Sequence, residues 1–189
     1  MRTIQLRALQ EEDRPAYESL YESSFPASER KELDYMLTGD KAAAFEVLVV
    51  STPDTSVAGM VITVTHGDLT MLDYLAISPD LRGQGLGHAV LPMVRDRVKA
   101  QNGGHFFLEI ETPPPLCIPR DPCDNAQQRV RRKAFYASAG LVETGVRAFI
   151  YGNDMELLAF PEDAEAITFE GYDALLKATF PADMVAERI

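Results

Sequence analysis

Residues Leu69 to Ala100 read LTMLDYLAISPDLRGQGLGHAVLPMVRDRVKA, and this stretch decides the fold. An apolar run from Leu69 to Ile77 comes first. A turn follows at Ser78, Pro79 and Asp80, then Arg82, Gly83, Gln84, Gly85, Leu86 and Gly87, and then a segment with helical spacing. Strand, glycine-rich turn and helix in this order turn backbone N–H groups toward an anion. Glycines let the chain approach a ligand closely, because no Cβ is in the way. The helix brings its positive dipole end to the same point. The stretch therefore reads as a cradle for a pyrophosphate. One conflict sits inside it: Pro92 removes a backbone donor and costs about 3 kcal/mol in a regular helix interior. Leu86, Val90, Val94 and Val98 still recur every four residues, so the helical face survives. The spacing predicts a kink near His88 to Pro92, or a helix that begins late.

Two common phosphate motifs do not fit. The dinucleotide fingerprint needs G-x-G-x-x-G, and position 88 is His88. A P-loop needs G-K-[ST] at its end, which is missing. What remains is R-x-x-G-x-G at Arg82, Gly85 and Gly87, directly after a hydrophobic strand. This resembles the acyl-CoA-binding motif of the GNAT superfamily, the GCN-related N-acetyltransferases. The resemblance implies that loop amides hold the pyrophosphate of acetyl-CoA while the preceding strand pairs its backbone with the pantetheine arm. Leu75 and Ile77 then meet the pantetheine. Arg82, Gly83, Gln84, Gly85, Leu86 and Gly87, with His88, meet the pyrophosphate.

At 189 residues, one domain with a sizeable core is the expectation. The net charge of −11 argues against general nucleic-acid or anionic-membrane binding and is compatible with a cationic acceptor such as an amine. No apolar run approaches the ~18 residues of a membrane span. The N-terminus MRTIQLRALQEEDRP lacks the apolar core of a signal peptide, so a cytoplasmic location is expected. Cys117 and Cys123 share one Pro-rich loop without metal-ligand spacing, so free thiols and no metal are expected.

Elsewhere the pattern alternates between strands and helices. Thr3–Leu9 reads as a half-buried strand. Glu11, Glu12 and Asp13 before Pro15 mark a helix start. A second helix, capped by Ser28 and ended by Gly39, carries Leu33, Met36 and Leu37. Strands follow at 45–50, 57–65 and 70–78, then the central helix, a strand at 105–111, a helix at 125–139, strands at 142–151 and 155–160, and a short helix at 170–178. The expected architecture is α/β (α+β by some schemes), a layered fold with a mixed central sheet of about seven strands flanked by helices. This is also the order of the GNAT fold. Residues 1–160 are expected to form the domain, and 161–189 a C-terminal extension packed on it.

Two further patterns bear on chemistry. In HFFLEIE, Phe106, Leu108 and Ile110 point one way while Phe107, Glu109 and Glu111 point the other. Carboxylates about 7 Å apart on one face suit a wet cleft better than a core. Glu109 or Glu111 is thus a candidate to take the proton of an amine, directly or through water. The structural alternative leaves Glu111 in solvent and pairs Glu109 with a base such as Arg132. The segment RRKAFYASAGL, Arg131 to Leu141, resembles the GNAT motif R-x-x-F-Y-x-x-x-G-F, with Leu141 in place of the last aromatic. In the family its tyrosine meets the leaving thiolate, which here is Tyr136. Asn125 and Arg129 are lesser candidates to reach the cofactor, and Arg131 and Arg132 read as a solvated face. The string FPxxER at Phe25 to Arg30 also resembles the substrate-side helical segment of many GNAT proteins.

The resulting expectation is an acyl-CoA-dependent N-acyltransferase. It uses acetyl-CoA as co-substrate, needs no metal, and acts on a small-molecule or peptide amine by direct attack. Tyr136, Glu109 and Glu111 are the catalytic candidates. The alternative is a non-catalytic, CoA-binding regulatory module. The sequence leaves the acceptor open, because acceptor pockets in this family are built from variable loops, here Ser23–Gly39 and Pro113–Asp124. It also leaves oligomeric state open, with a homodimer among the options.

Overall fold

Among the described residues there are eight strands, most of them built from β-branched and aromatic runs, against the about seven expected. The computed structural model describes residues 3–150, 152–181 and 186–189, and of Ser28 the backbone only. Tyr151 and the Ser28 cap therefore lie outside the described residues. The chain divides into two compact units, Met1–Val64 with Leu72–Gln101, and Thr65–Met71 with Asn102–Ile189.

The first unit opens with β1 (Gln5–Ala8), followed by α1 (Arg14–Ser24), α2 (Leu33–Thr38), β2 (Phe45–Thr52) and β3 (Thr55–His66). β2 pairs antiparallel with both β1 and β3, Leu6 opposite Val50 and Val49 opposite Met60. The two-residue connection between β2 and β3 enforces that direction. Pro15 opens α1, after a 3-10 turn whose Asp13 is buried and ion-paired with Arg7. Tyr17, Leu20 and Tyr21 of α1 pack with Leu33 and Met36 of α2 against Val47, Val49, Met60 and Ile62. The second helix is shorter than expected. It begins at Leu33, because Ala27–Glu29 forms a separate 3-10 turn.

β4 (Leu69–Ile77) leads into α3 (Leu86–Asn102). α3 starts inside the glycine motif, so the late start is not found. It runs unbroken through Pro92, its seventh residue. Leu86, Val90, Leu91, Val94 and Val98 are its buried residues, and their burial compensates for the bond that Pro92 cannot donate. Glu46 of β2 accepts from Arg97 and Gln101, which fixes the outer face of α3.

The second unit holds β5 (His105–Glu111), α4 (Ala126–Ser138), β6 (Val142–Ile150), β7 (Asn153–Ala159), α5 (Phe169–Thr179) and β8 (Glu187–Arg188). β7 pairs antiparallel with β5 and β6, and β6 with β8. β8 is the strand that sequence patterning does not predict. α5 presents Tyr172, Leu175, Leu176 and Thr179 at positions i, i+3, i+4 and i+7, and all four are buried.

Candidate active site

The cradle belongs to the first unit. After Ile77 the chain makes a 3-10 turn at Pro79–Leu81 and enters the glycines. Gly83 and Gly85 take φ of +72° and +80°, a region that costs a side-chain-bearing residue roughly 1–2 kcal/mol. A Cβ at either position would meet nothing within 4 Å, so backbone conformation, not lack of room, requires glycine here. The first backbone bond of the helix is Ala89 N–H to Gly85 O, at 3.1 Å. Among the described residues, none accepts from the backbone N–H of Gly83, Gln84, Gly85, Leu86 or Gly87. Five consecutive donors at a helix N-terminus are what an anion needs.

The side chains around these donors divide. Gln84, Arg82 and His88 are exposed, while Leu86 is buried and anchors the helix start. A ligand at this turn could therefore meet Leu86 only through its backbone. Arg82 folds back, its Nε donating to Ile77 O at 2.9 Å, which closes the turn on itself. Leu75 and Ile77 are half-buried in β4.

β4 also carries a group to which sequence patterning assigns no role. Asp73 is largely buried and holds the Lys31 ammonium with both carboxylate oxygens at 2.9 Å. Burial pushes the Asp73 carboxyl up, against the pull of Lys31. The same ammonium lies 4.9 Å from the Tyr74 ring centroid. Tyr74 donates to Glu29 O at 2.7 Å, and the backbone N–H of Lys31 donates to both Tyr74 and Tyr21. Phe25 packs edge-on against Tyr74 at 4.9 Å. The FPxxER segment is thereby stitched to β4, a link between distant residues that no local pattern announces.

In the second unit the two carboxylates of β5 part company. Glu111 is saturated. Asn125 donates to both of its oxygens at 3.0 and 2.9 Å, Arg132 reaches it at 2.8 Å, and Arg129 at 3.1 Å. Neither structural alternative holds: Glu111 is not in solvent, and Arg132 pairs with it instead of with Glu109. Glu109 accepts instead from the hydroxyl of Tyr172, a fully buried residue of α5. Tyr172 also packs edge-on against Phe107, with centroids 6.2 Å apart. Tyr172 is absent from the sequence candidates. The signal was a tyrosine on the apolar face of a short helix, whose hydroxyl must find a partner when buried.

Arg129 does not reach outward. Its side chain is 2% exposed, and it makes a two-pronged bond to Asp121 at 2.6 and 3.0 Å. Burial opposes ionisation of Asp121, but Arg129 and the N–H groups of Asp154 and Cys123 outweigh it and hold the carboxyl below its usual range. Asn125 accepts from Arg129 Nε as well as donating to Glu111. Both lesser cofactor candidates are thus spent inside the unit.

Tyr136, near the end of α4, is half-buried beside Phe135, with ring centroids 5.0 Å apart. Burial pushes its phenol up to about 12, with the Arg132 cation pulling weakly the other way. The hydroxyl keeps its proton at neutral pH and remains a donor. Gly140, at φ +93°, ends this helix. An apolar recess of about 340 Å³, lined by Pro114, Ala126, Gln127, Val130 and Arg131, lies on the Pro-rich-loop side of α4. Among the described residues no cluster of His, Cys, Asp and Glu could hold a metal ion, and no helix is long and apolar enough to cross a membrane.

Known proteins share this fold. The family model of the GNAT acetyltransferases matches residues 6–114. That span exceeds half of the chain and ends just past β5, and the chain belongs to this family. No curated protein matches it. Solved structures share the fold at low identity. A protein from Bacteroides thetaiotaomicron placed in the GNAT family is 20% identical, with TM-score 0.67 over 92% of this chain and 96% of its own. Spermidine N-acetyltransferase from Vibrio cholerae, solved with CoA and spermine, is 15% identical, with TM-score 0.60 over 85% and 97%. The ribosomal-protein-S18-alanine N-acetyltransferase of Escherichia coli is 22% identical, with TM-score 0.54 over 88% and 100%.

Proposed function

We propose that the protein transfers acetyl from acetyl-CoA to a primary amine by direct attack. The observation that carries this reading is the run of backbone N–H groups from Gly83 to Gly87 without an acceptor among the described residues, at the start of a 17-residue helix. Those donors, with the dipole of α3, would hold the diphosphate of coenzyme A. Leu75 and Ile77 would meet the pantetheine through their main chain.

In this scheme Glu109 takes the proton of the attacking amine, and the Tyr172 hydroxyl fixes the carboxylate in position. The amine nitrogen bonds to the thioester carbonyl carbon, the C–S bond breaks, and the sulfur leaves as thiolate. Tyr136 donates a hydrogen bond to that sulfur. A phenol with its pKa near 12 will not transfer its proton to a thiolate of pKa about 8.5, so stabilisation comes from the hydrogen bond alone. Most of the acceleration would come from holding two reactants in register. Glu111 is assigned to fixing the start of α4, since its oxygens are already occupied.

The acceptor is drawn from amines. The structural neighbours acetylate a polyamine in one case and a protein alanine in another, and a net charge of −11 favours a cationic acceptor over an anionic one. A cytoplasmic setting, where acetyl-CoA is supplied, goes with this reading. The test is release of free CoA thiol from acetyl-CoA across a panel of polyamines, aminoglycosides, amino acids and peptide N-termini. Turnover above hydrolysis with any of them supports transfer. Tight CoA binding with no turnover on the panel would favour the regulatory module.

A further inference from the structure

We propose that Cys117 and Cys123 form a redox-modification site, a dithiol built to close into a reversible intramolecular disulfide. The two sulfurs lie 2.8 Å apart in the loop between β5 and α4, and both are half-buried free thiols. Loops of this length ordinarily leave such groups wandering. Here the chain on either side of Cys117, and the backbone N–H of Cys123 itself, are pinned to a hydrogen-bonded network. Arg147 donates to Leu116 O at 2.9 Å, next to Cys117. Asp154 accepts from the N–H of Ile118 at 2.9 Å, on the other side of Cys117. Asp121 accepts from the N–H of Cys123 itself at 2.7 Å, and from Asp154 N–H at 2.8 Å. Asp121 N–H donates to Ile118 O at 3.0 Å, closing the turn between the two cysteines. Asp121 and Asp154 are fixed in turn by the buried Arg129 and by Thr112.

The consequence is entropic. Bringing two thiols together normally requires closing a flexible loop. In this fold that ordering accompanies folding of the second unit, so one sulfur meets the other at high effective concentration. The hydrogen bond from Cys117, and secondarily burial, pushes the Cys123 thiol up to about 11, so Cys123 rests as a protonated thiol. Closure breaks two S–H bonds and forms one S–S bond. Two electrons and two protons pass to the oxidant, for which a small disulfide such as oxidised glutathione serves. It is reduced to two thiols by way of a mixed disulfide. The site stands apart from the transferase reading and does not depend on it.

The test uses the full chain, reduced, desalted and exposed to oxidised glutathione, followed by thiol counting and intact mass. The chain has two cysteines, so the outcome is unambiguous. The expected result is a monomer whose thiol count falls from two to zero. Its mass drops by two hydrogens, no glutathione stays bound, and dithiothreitol restores both thiols. Closure should be independent of protein concentration and at least tenfold faster in the folded chain than in urea. Cys117→Ser should instead trap glutathione on Cys123. A retained glutathione adduct on the wild type, a disulfide-linked dimer, or closure no faster when folded than when unfolded would each overturn the proposal.

Discussion

Glu109 and Glu111 sit two residues apart on β5, and their neighbours give them different work. Glu111 is held by two guanidiniums and an amide, whereas Glu109 meets the hydroxyl of Tyr172. Glu109→Gln is expected to lower kcat/KM by about a hundredfold or more, the usual contribution of a general base. Tyr172→Phe, which leaves the carboxylate without its positioning bond, should lower kcat by roughly tenfold at about 1.4 kcal/mol, with the Kd of acetyl-CoA unchanged. A parallel loss of cofactor affinity in steady-state and binding assays would show a merely structural role. Tyr136→Phe should lower kcat while leaving that Kd nearly untouched; an unaltered kcat removes the phenol from the chemistry. Since its pKa is about 12, ionisation of Tyr136 should add no basic limb to the rate profile across roughly pH 7 to 10. Alternation along HFFLEIE showed which face the two carboxylates share. It could not show their partners, because Tyr172 lies 63 residues further along the chain.

At the scale of elements, the strand–turn–helix from Leu69 to Asn102 was legible because its determinants are contiguous. Glycines at positive φ, a hydrophobic strand and a helix face lie within one short stretch. The Pro92 conflict was real, yet the helix persists, because five buried apolar residues outweigh one lost bond. Gly85→Ala tests the cradle as an element. Its φ of +80° makes a Cβ costly by roughly 1–2 kcal/mol. CoA affinity by titration calorimetry should fall about tenfold, while Gly67→Ala, in the β3–β4 turn at φ +61°, should leave it unchanged. Equal losses in both variants would trace the effect to general strain. The tie of Lys31 to Asp73 and Tyr74 was not legible, since a charge pair 42 residues apart leaves no periodicity to read.

For the molecule as a whole, the order of elements followed from patterning, and the eighth strand and the polar network of the second unit did not. β8 is two residues long, too short to alternate. Arg129 read as a lesser candidate to reach the cofactor, but it is the most deeply buried charge of α4 and organises Asp121, Glu111 and the Pro-rich loop. The Asp121 carboxyl is held below its unfolded value of 3.8, so its contribution to stability is present above about pH 4 and is lost as pH falls through the folded value. Asp121→Asn takes from the buried Arg129 guanidinium its two-pronged carboxylate, leaving Glu111 alone to face it, and should cost roughly 3 kcal/mol at pH 7. Thermal melts should show the gap between wild type and variant shrinking as pH drops from about 5 to below 3. A gap constant with pH would mean that the pair contributes no charge-linked stability.

The central claim is that main-chain amides of the Gly83–Gly87 turn grip the diphosphate of coenzyme A. Amide proton–nitrogen NMR of the labelled protein tests it most directly, with CoA and with pantetheine as titrants. The account predicts saturable shifts concentrated on the amides of Gly83, Gln84, Gly85, Leu86 and Gly87 with CoA, and not with pantetheine. Shifts elsewhere while these five amides stay still would contradict it.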